Sequence, residues 1–265
     1  MLTRRLDEAR EAWKRKDPEA TRRAHTALHN QNAPEQHTTG QGKYIKSIVY
    51  GGLDGTITTF AAVAGVAGAA LSPSVVLIVG LANLLADGLS MSIGDYLSSK
   101  SEREYEAAER AREAWEVQHY PEGEKQELRE IYINRGMSAE DANAVVDIIA
   151  KDEKAWIDTM MVEELGIIPS DESPLANAIA TFISFVLFGF IPIAAYVMSL
   201  FVPSLAALRF TLACILTGAT LFGLGALKTT ITGTNWVKSG LETLLVGGIA
   251  ATTAYVVGAL LGGLA

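Results

Sequence analysis

The last third of the chain contains very few charged residues, and this feature constrains the fold more than any other. Between residues 173 and 265 the charged side chains are those of Arg209, Lys228, Lys238 and Glu242 alone. A run of about 20 predominantly apolar residues is long enough to cross a bilayer as a helix. Five windows meet this rule, at roughly residues 46–71, 74–97, 176–200, 205–227 and 241–263. We therefore expect an all-α membrane protein with five transmembrane helices.

A polar segment separates the second window from the third. Residues 100–172 are dense in charges of both signs. No proline or helix-ending glycine occurs between the second window and Pro121, so the second transmembrane helix is expected to continue into this segment. Pro121 then begins a helix that stops at Gly136. Ser138, with Asp141 three residues later, resembles a capping box that starts one or two further helices.

These patterns divide the chain into four parts. We expect a basic tail over residues 1–42, transmembrane helices 1 and 2 over 43–99, a cytoplasmic helical domain over 100–172 and transmembrane helices 3–5 over 173–265. In the tail, apolar residues at helical spacing between Lys and Arg predict a short basic amphipathic helix. A membrane-surface role and a solvated tail both remain open for it.

The distribution of Lys and Arg predicts the orientation in the membrane. The first 46 residues contain ten of them and residues 100–172 contain nine, whereas the LSPS connection after the first window has none. Because loops rich in Lys and Arg stay in the cytoplasm, we expect a cytoplasmic N-terminus and, with five spans, an external C-terminus. The chain begins without the apolar region of a cleavable signal peptide. Its single Cys214 supports neither a disulfide framework nor a thiolate metal site.

Small residues recur at four-residue spacing in the apolar windows. Ala254, Gly258 and Gly262 form one row in the last window, and Gly51 and Gly55 form another in the first. Such rows let membrane helices approach closely. They predict a tight bundle or a dimer, but no chemistry.

Four candidate pathway side chains lie in the first two windows. Asp54 lies in the middle of the first, and Asn83, Asp87 and Met91 share one face of the second because they follow at four-residue steps. An ionisable group at membrane depth costs at least about 2.5–3.5 kcal/mol and usually marks an ion or proton path. Carboxylate, amide and thioether ligands together suit a divalent first-row metal such as Fe²⁺ or Mn²⁺. These residues are candidates for a translocation pathway, with hydrogen bonding between helices as the alternative.

Glutamates in the polar segment recur in pairs three residues apart, and two methionines precede a further glutamate. The candidate metal ligands are Glu113, Glu116, Glu124, Glu127, Met160, Met161 and Glu164. An ordinary charged surface is the alternative, since Arg112 lies four residues before Glu116 as in a helical ion pair. By contrast, Glu124, Glu127 and Glu130 have no basic residue three or four positions away, so this column repels itself unless a cation neutralises it. Spacing alone leaves both interpretations open.

Three sequence blocks together resemble the vacuolar iron transporter family. They are GGLDGTITTF in the first window, GLANLLADGLSMSIGDYLSSKSE in the second, and AWIDTMMVEELG before the third. The resemblance covers roughly residues 43–263 and leaves the N-terminal tail outside. It implies five membrane helices per subunit, a homodimer, and a cytoplasmic helical metal-binding domain that continues from the second span. It also implies proton-coupled movement of Fe²⁺, often also of Mn²⁺, out of the cytosol.

The resemblance also assigns roles to individual residues. The family's pathway residues correspond to Asp54 and Met91, whereas a family glutamate in the second span falls at Asn83, which is a departure. Our hypothesis is that Asp87, one helical turn further on, supplies the missing carboxylate. The family's cytoplasmic metal ligands correspond to all seven glutamates and methionines named above, and each of the seven is of a type that ligates metal.

The resulting expectation is an antiporter of Fe²⁺ and also Mn²⁺ with no enzymatic activity and no nucleic-acid partner. It would lie in the plasma membrane of a prokaryote or the vacuolar membrane of a eukaryote. Two rivals remain: a membrane-anchored di-iron ferroxidase, and an iron sensor or buffer that does not translocate. His119 is the only histidine of the polar segment, and the paired Glu-x-x-His motifs of ferritin-like bundles are missing from that segment. Carboxylates at membrane depth count against the sensor.

Overall fold

The structure, a computed structural model, describes residues 11–13, 15–20, 22, 45–169 and 172–264. Most of the basic tail, including the start of its predicted amphipathic helix, lies outside the described residues. Every regular element in the described ranges is helical, which confirms the all-α class. From residue 45 onward the α-helices are α1 Ile45–Gly68, α2 Pro73–His119, α3 Pro121–Asn134, α4 Ala139–Ile149, α5 Glu153–Glu163, α6 Pro174–Gly189, α7 Ile191–Phe201, α8 Arg209–Thr232 and α9 Trp236–Leu261. Short 3₁₀ turns occupy Pro203–Leu205 and Gly262–Leu264.

The described residues divide into two compact units, whose bounds in the chain are as follows. The first comprises Met1–Gly88 and Ala180–Ala265, and we call it the apolar unit. The second, which we call the acidic unit, comprises Leu89–Ile179. All seven candidate metal ligands of the polar segment fall in the acidic unit, together with Met91. The candidate pathway residues Asp54, Asn83 and Asp87 fall in the apolar unit.

Three helices of the described residues are long and apolar enough to cross a membrane, namely α2, α8 and α9. Together α6 and α7 meet the same criterion as a fourth span that is bent by 46°. These four correspond to the second to fifth predicted windows. α1 is 24 residues long, but Asp54 and the glycines and threonines around it lower its hydropathy, and it is not among them. The five-span topology stays a prediction.

The third predicted span is not one straight helix. The window at 176–200 predicts a continuous helix, whereas the structure ends α6 at Gly189 and begins α7 at Ile191. Pro192 explains the break, because it has no N–H to donate and its ring clashes with the carbonyl four residues earlier. The break also lies at a close contact: a Cβ added at Gly189 would be 2.8 Å from the carbonyl oxygen of Gly55.

Within the apolar unit, α1 packs against α7, α8 and α9. A Cβ added at Gly55 on α1 would overlap the carbonyl of Phe185 on α6. One added at Gly258 on α9 would overlap the carbonyl of Gly65 on α1. These helices therefore contact one another backbone to backbone, as the rows of small residues predict.

The helices of the acidic unit begin and end close to the predicted positions. α2 continues unbroken from the second window to the end of its polar part, which confirms the predicted continuation. α3 begins at Pro121, and Gly136 follows its end with a φ of +101°. The Ser138 hydroxyl accepts a hydrogen bond from the Asp141 N–H (3.1 Å) and donates one to the Asp141 carboxylate (2.7 Å). Ser138 and Asp141 therefore cap the start of α4, as the capping-box pattern predicts.

An apolar core holds the helices of the acidic unit together. It consists of Val117, Leu128, Val146, Trp156, Ile157, Met160 and Met161, each no more than 7% exposed. Full burial of such a side chain contributes roughly 1.5–3 kcal/mol. Because these residues come from α2, α3, α4 and α5, the core fixes the positions of the helices that carry the candidate glutamates.

Candidate metal centre

Five of the seven predicted ligands form a compact group of carboxylates. Glu113 and Glu116 come from α2, Glu124 and Glu127 from α3, and Glu164 directly follows α5. Carboxylate oxygens of Glu113, Glu116 and Glu124 lie within 4.8 Å of one another, as do those of Glu124, Glu127 and Glu164. Because Glu124 belongs to both sets, the five side chains form one continuous site, which we call the glutamate cluster.

The local sequence explains why these side chains converge. Residues three apart on a helix project from the same side, so each glutamate pair presents two carboxylates together. Only Tyr120 separates α2 from α3, and this short connection brings the second pair against the first. The end of α5 places Glu164, whose N–H donates to the carbonyl of Met160 (3.0 Å).

The separations of the carboxylate oxygens suit a divalent ion after a small adjustment. Two oxygens bound to one ion at about 2.1 Å are at most about 4.2 Å apart. The oxygens of each set of three lie within 4.8 Å of one another. Side-chain movements of well under 1 Å would therefore bring three carboxylates to one ion.

Two glutamates of the cluster are buried without full hydrogen bonding. Glu113 is fully buried and Glu124 is 4% exposed. Among the described residues, neither carboxylate oxygen of Glu113 has a hydrogen-bond partner, and Oε2 of Glu124 has none. A buried polar group without a partner costs free energy. A cation bound between these carboxylates would remove that cost.

Burial and the charges of neighbouring glutamates raise the pKa values of three members of the cluster. Burial, followed by the charge of Glu164, raises the pKa of Glu113 to about 7. Burial, followed by the charge of Glu113, raises the pKa of Glu124 to about 7. Burial and the charge of Glu127 also raise the pKa of Glu164. Near neutral pH the buried carboxylates therefore exchange protons readily, and a bound metal ion would displace those protons.

One basic side chain, that of Arg112, reaches the cluster by ion pairs within the described part of the chain. Its Nη1 donates to Glu116 (2.6 Å) and its Nε donates to Glu109 (3.0 Å). Its Nη2 lies 2.8 Å from Glu113 Oε1, but the N–H is not directed at that oxygen, so the contact is an ion pair without a hydrogen bond. The hydrogen bond to Glu109 contributes most to a pKa of Arg112 above its ordinary value. The sequence indicated the Arg112–Glu116 pair but not the contact with Glu113.

The two candidate methionines lie in the apolar core. Met160 and Met161 are both fully buried, in the same core as Val117 and Leu128. A flexible thioether fills such a core well, so this placement is sufficient to explain why methionine is present. The structure gathers the five glutamates, and metal ligation by the two methionines stays a prediction.

The candidate pathway residues occupy half-buried positions. Asp54 on α1 is half-buried, and Asp87 on α2 is close enough for its charge to act on Asp54. Asn83, Asp87 and Met91 are all half-buried, whereas the neighbouring Leu85 is exposed. The three thus share the less exposed face of α2, as their four-residue spacing predicts. Their part in translocation stays a prediction.

Comparison with known proteins identifies the family. A sequence profile described as the VIT family matches residues 45–259. A protein named vacuolar iron transporter from Toxoplasma gondii is 42% identical over 268 residues, which cover 97% of this chain and 89% of that protein. The vacuolar iron transporter of Plasmodium falciparum is 35% identical over 267 residues, or 98% of each chain. Vacuolar iron transporter 1 of Arabidopsis thaliana is 36% identical over 222 residues, which cover 83% of this chain and 87% of that protein.

The extent of these alignments refines the predicted resemblance. The family profile begins at residue 45, close to the predicted start at residue 43. The Toxoplasma and Plasmodium alignments cover 97% and 98% of the chain, so they also include most of the N-terminal tail. All three relatives are named as transporters, in agreement with the prediction that the chain is not an enzyme. The chain belongs to the vacuolar iron transporter family.

Proposed function

We propose that this chain transports Fe²⁺ out of the cytosol in exchange for protons. The observation that carries the proposal is the burial of Glu113 and Glu124, without full hydrogen bonding, inside a cluster of five glutamates. A cation is the partner that would satisfy such a cluster. The names of the related transporters supply the identity of the ion. Helices long and apolar enough to cross a membrane support translocation.

In the proposed mechanism the glutamate cluster captures metal from the cytosol. Fe²⁺ would bind among the five carboxylates, and the thioethers of Met160 and Met161 are proposed as softer ligands. The raised pKa values of Glu113 and Glu124 mean that these groups carry protons over part of the physiological range. Metal binding would therefore release protons, and a fall in pH would favour metal release.

Asp54, Asn83, Asp87 and Met91 are proposed to carry the ion through the membrane. A carboxylate binds either a metal ion or a proton, so a proton entering from the far side would release the metal there. An amide cannot take up a proton in this way, which limits Asn83 to coordination. We propose that Asp87, whose charge acts on Asp54, supplies the second carboxylate of the exchange.

The proposed assembly is a homodimer with five transmembrane helices per subunit, of which α1 is the first. Four domains are proposed. They are the tail over 1–42, the first two transmembrane helices over 43–99, the metal-binding domain over 100–172 and the last three transmembrane helices over 173–265. The N-terminus and the glutamate cluster would face the cytoplasm, and the C-terminus the other side.

Mn²⁺ is a proposed second substrate because the same ligands serve both ions. The names of the relatives favour a vacuolar membrane in a eukaryotic cell, and a plasma membrane is proposed in a prokaryote.

A di-iron ferroxidase is the competing enzymatic function. Among the described residues, the two sets of three side chains that are close enough to hold an ion contain glutamates only, whereas ferritin-like sites add histidine from Glu-x-x-His motifs. An iron sensor or buffer would need the glutamate cluster but not a membrane carboxylate such as Asp54. Both rivals predict iron binding without transport.

Uptake of Fe²⁺ into proteoliposomes distinguishes the three functions. The full-length protein is reconstituted into vesicles with an acidic lumen, and entry of Fe²⁺ is followed without oxygen by quenching of a trapped dye. Uptake should exceed that of protein-free vesicles and should slow when the pH gradient is removed. Uptake equal to that of empty vesicles would contradict transport. In a separate aerobic assay of the detergent-solubilised protein, oxygen consumption in proportion to added Fe²⁺ would instead favour the ferroxidase.

A further inference from the structure

We propose that Arg112 is a built-in counter-ion of the glutamate cluster, a tethered cation that an incoming metal ion must displace. The proposal rests on the proposed metal-binding function and adds a residue that sets the affinity of the same site. Arg112 is not itself a ligand, because a guanidinium group offers no acceptor atom and remains charged.

Arg112 contacts three glutamates at once. Its nitrogens lie 3.0 Å from a carboxylate oxygen of Glu109, 2.8 Å from one of Glu113 and 2.6 Å from one of Glu116. Glu113 and Glu116 belong to the set of three carboxylates that is close enough to hold an ion. A metal ion and the guanidinium therefore require the same two carboxylates, and their positive charges repel each other.

The contact with Glu113 distinguishes Arg112 from an ordinary surface residue. An exposed ion pair between residues four apart contributes little, because water screens both charges. The Glu113 side chain is 0% exposed, whereas the Arg112 side chain is 42% exposed. Arg112 thus brings a positive charge from the surface to a buried carboxylate that lacks a hydrogen-bond partner. Arg110, two residues earlier, instead pairs with Asp158.

Glu109 would still hold the Arg112 guanidinium after metal has bound to the cluster. It accepts a hydrogen bond from Arg112 Nε, and it belongs to neither set of three carboxylates found in the described chain. Metal binding at Glu113 and Glu116 would leave Arg112 held by Glu109 alone. The cluster is then partly neutralised both with and without metal. The expected consequence is weaker, more reversible metal binding, which suits a site that passes its ion onward.

An affinity measurement on charge variants tests this role. Full-length protein in detergent is titrated with Fe²⁺ without oxygen, in competition with a chromogenic chelator. Arg112→Gln should bind Fe²⁺ about tenfold more tightly than the wild type, because a competing charge is removed. Arg112→Lys should be intermediate, since an ammonium keeps the charge but cannot reach three carboxylates. The matched control Arg110→Gln should bind as the wild type does.

The outcomes separate this inference from the function on which it rests. Absence of Fe²⁺ binding by the wild type would count against the glutamate cluster as a metal site. Wild-type binding with equal or weaker binding by Arg112→Gln would overturn the counter-ion role. If Arg112→Gln does not fold, Arg112→Lys decides, and an affinity no higher than that of the wild type overturns the proposal. A tenfold gain shared by Arg110→Gln would also overturn it, because the effect would then be one of overall charge.

Discussion

Glu113 and Glu124 are buried carboxylates that change protonation state near neutral pH. Burial raises the pKa of each to about 7, from an ordinary value of 4.5. The folded protein therefore binds more protons than the unfolded chain between about pH 4.5 and pH 7. The contribution of these two side chains to the stability of the metal-free protein is therefore fully present below this interval and is lost as the pH rises through it. The proposed metal binding would compensate for the loss above pH 7.

Substitution Glu113→Gln should raise the metal-free unfolding temperature at pH 7.5 and reduce its dependence on pH. The gain is at most roughly 3 kcal/mol, since one pKa unit corresponds to 1.36 kcal/mol and the neutral amide avoids the buried charge. The same change should remove most of the stabilisation that Fe²⁺ provides. Thermal unfolding at pH 5 and pH 7.5, with and without Fe²⁺, measures both effects.

The matched control is Glu140→Gln, which removes an exposed acid in the first turn of α4. It should leave the response to Fe²⁺ unchanged. If Glu113→Gln changes the metal-free unfolding temperature by the same amount at pH 5 and at pH 7.5, burial of the Glu113 charge is not the cause of the change.

At this scale the sequence shows which side chains are of a type that binds metal, but it does not predict which of them are buried. Glu113 and Glu116 are equivalent in spacing, yet Glu113 is fully buried and Glu116 is only half-buried. The difference arises from the packing of α3 and α5 against α2, which involves residues distant in sequence. The contact of Arg112 with Glu113 was missed for the same reason, because a helical i, i+4 pattern alone predicts a solvated pair.

At the scale of helices, close packing depends on positions where no side chain fits. The row that includes Gly258 was predicted from its four-residue spacing, and the structure places Gly258 against the backbone of α1. Local stop signals such as Pro121 and Gly136 also predicted helix ends correctly. The apolar window at 176–200 does not predict the break before Pro192, because the mean hydropathy of a window does not register the helix-breaking effect of one proline.

Gly258→Ala should destabilise the protein by about 1–3 kcal/mol, since the added methyl group overlaps the carbonyl of Gly65 and forces α1 and α9 apart. Gly248→Ala is a control on the same helix, because a Cβ at Gly248 meets nothing within 4 Å. It should be neutral or slightly stabilising, since alanine favours a helix more than glycine does. Thermal unfolding of the two variants in the same detergent measures the difference. Equal effects would contradict the backbone contact.

At the scale of the whole molecule, the proposed orientation in the membrane determines the side from which the glutamate cluster takes metal. Capture from the cytosol requires that residues 100–172 lie on the cytoplasmic side, and two spans before them would put the N-terminus on that same side. Three helices and one bent pair meet the criterion for spans, and α1 does not. The residues that lower the hydropathy of α1 are Asp54, which belongs to the proposed pathway, and the glycines that pack against neighbouring helices.

Labelling of single cysteines should place residues 11 and 140 on one side of the membrane and residue 263 on the other. Glu11→Cys, Glu140→Cys and Gly263→Cys are introduced separately into a Cys214→Ser background at positions that are exposed. An impermeant maleimide is then applied to sealed vesicles of known orientation. Labelling of residues 11 and 140 from opposite sides would show that α1 does not span the membrane. Labelling of residues 140 and 263 from the same side would contradict three spans after the acidic unit.

Asp54 is proposed to be part of a path for metal and protons through the membrane. Fe²⁺ uptake by Asp54→Ala into proteoliposomes with an acidic lumen tests it most directly, with Fe²⁺ affinity of the detergent-solubilised variant measured in parallel. Uptake should fall at least about tenfold, because an ionisable group at membrane depth usually marks the ion path. Affinity of the glutamate cluster should stay at its wild-type value. Uptake by Asp54→Ala at the wild-type rate would contradict the claim.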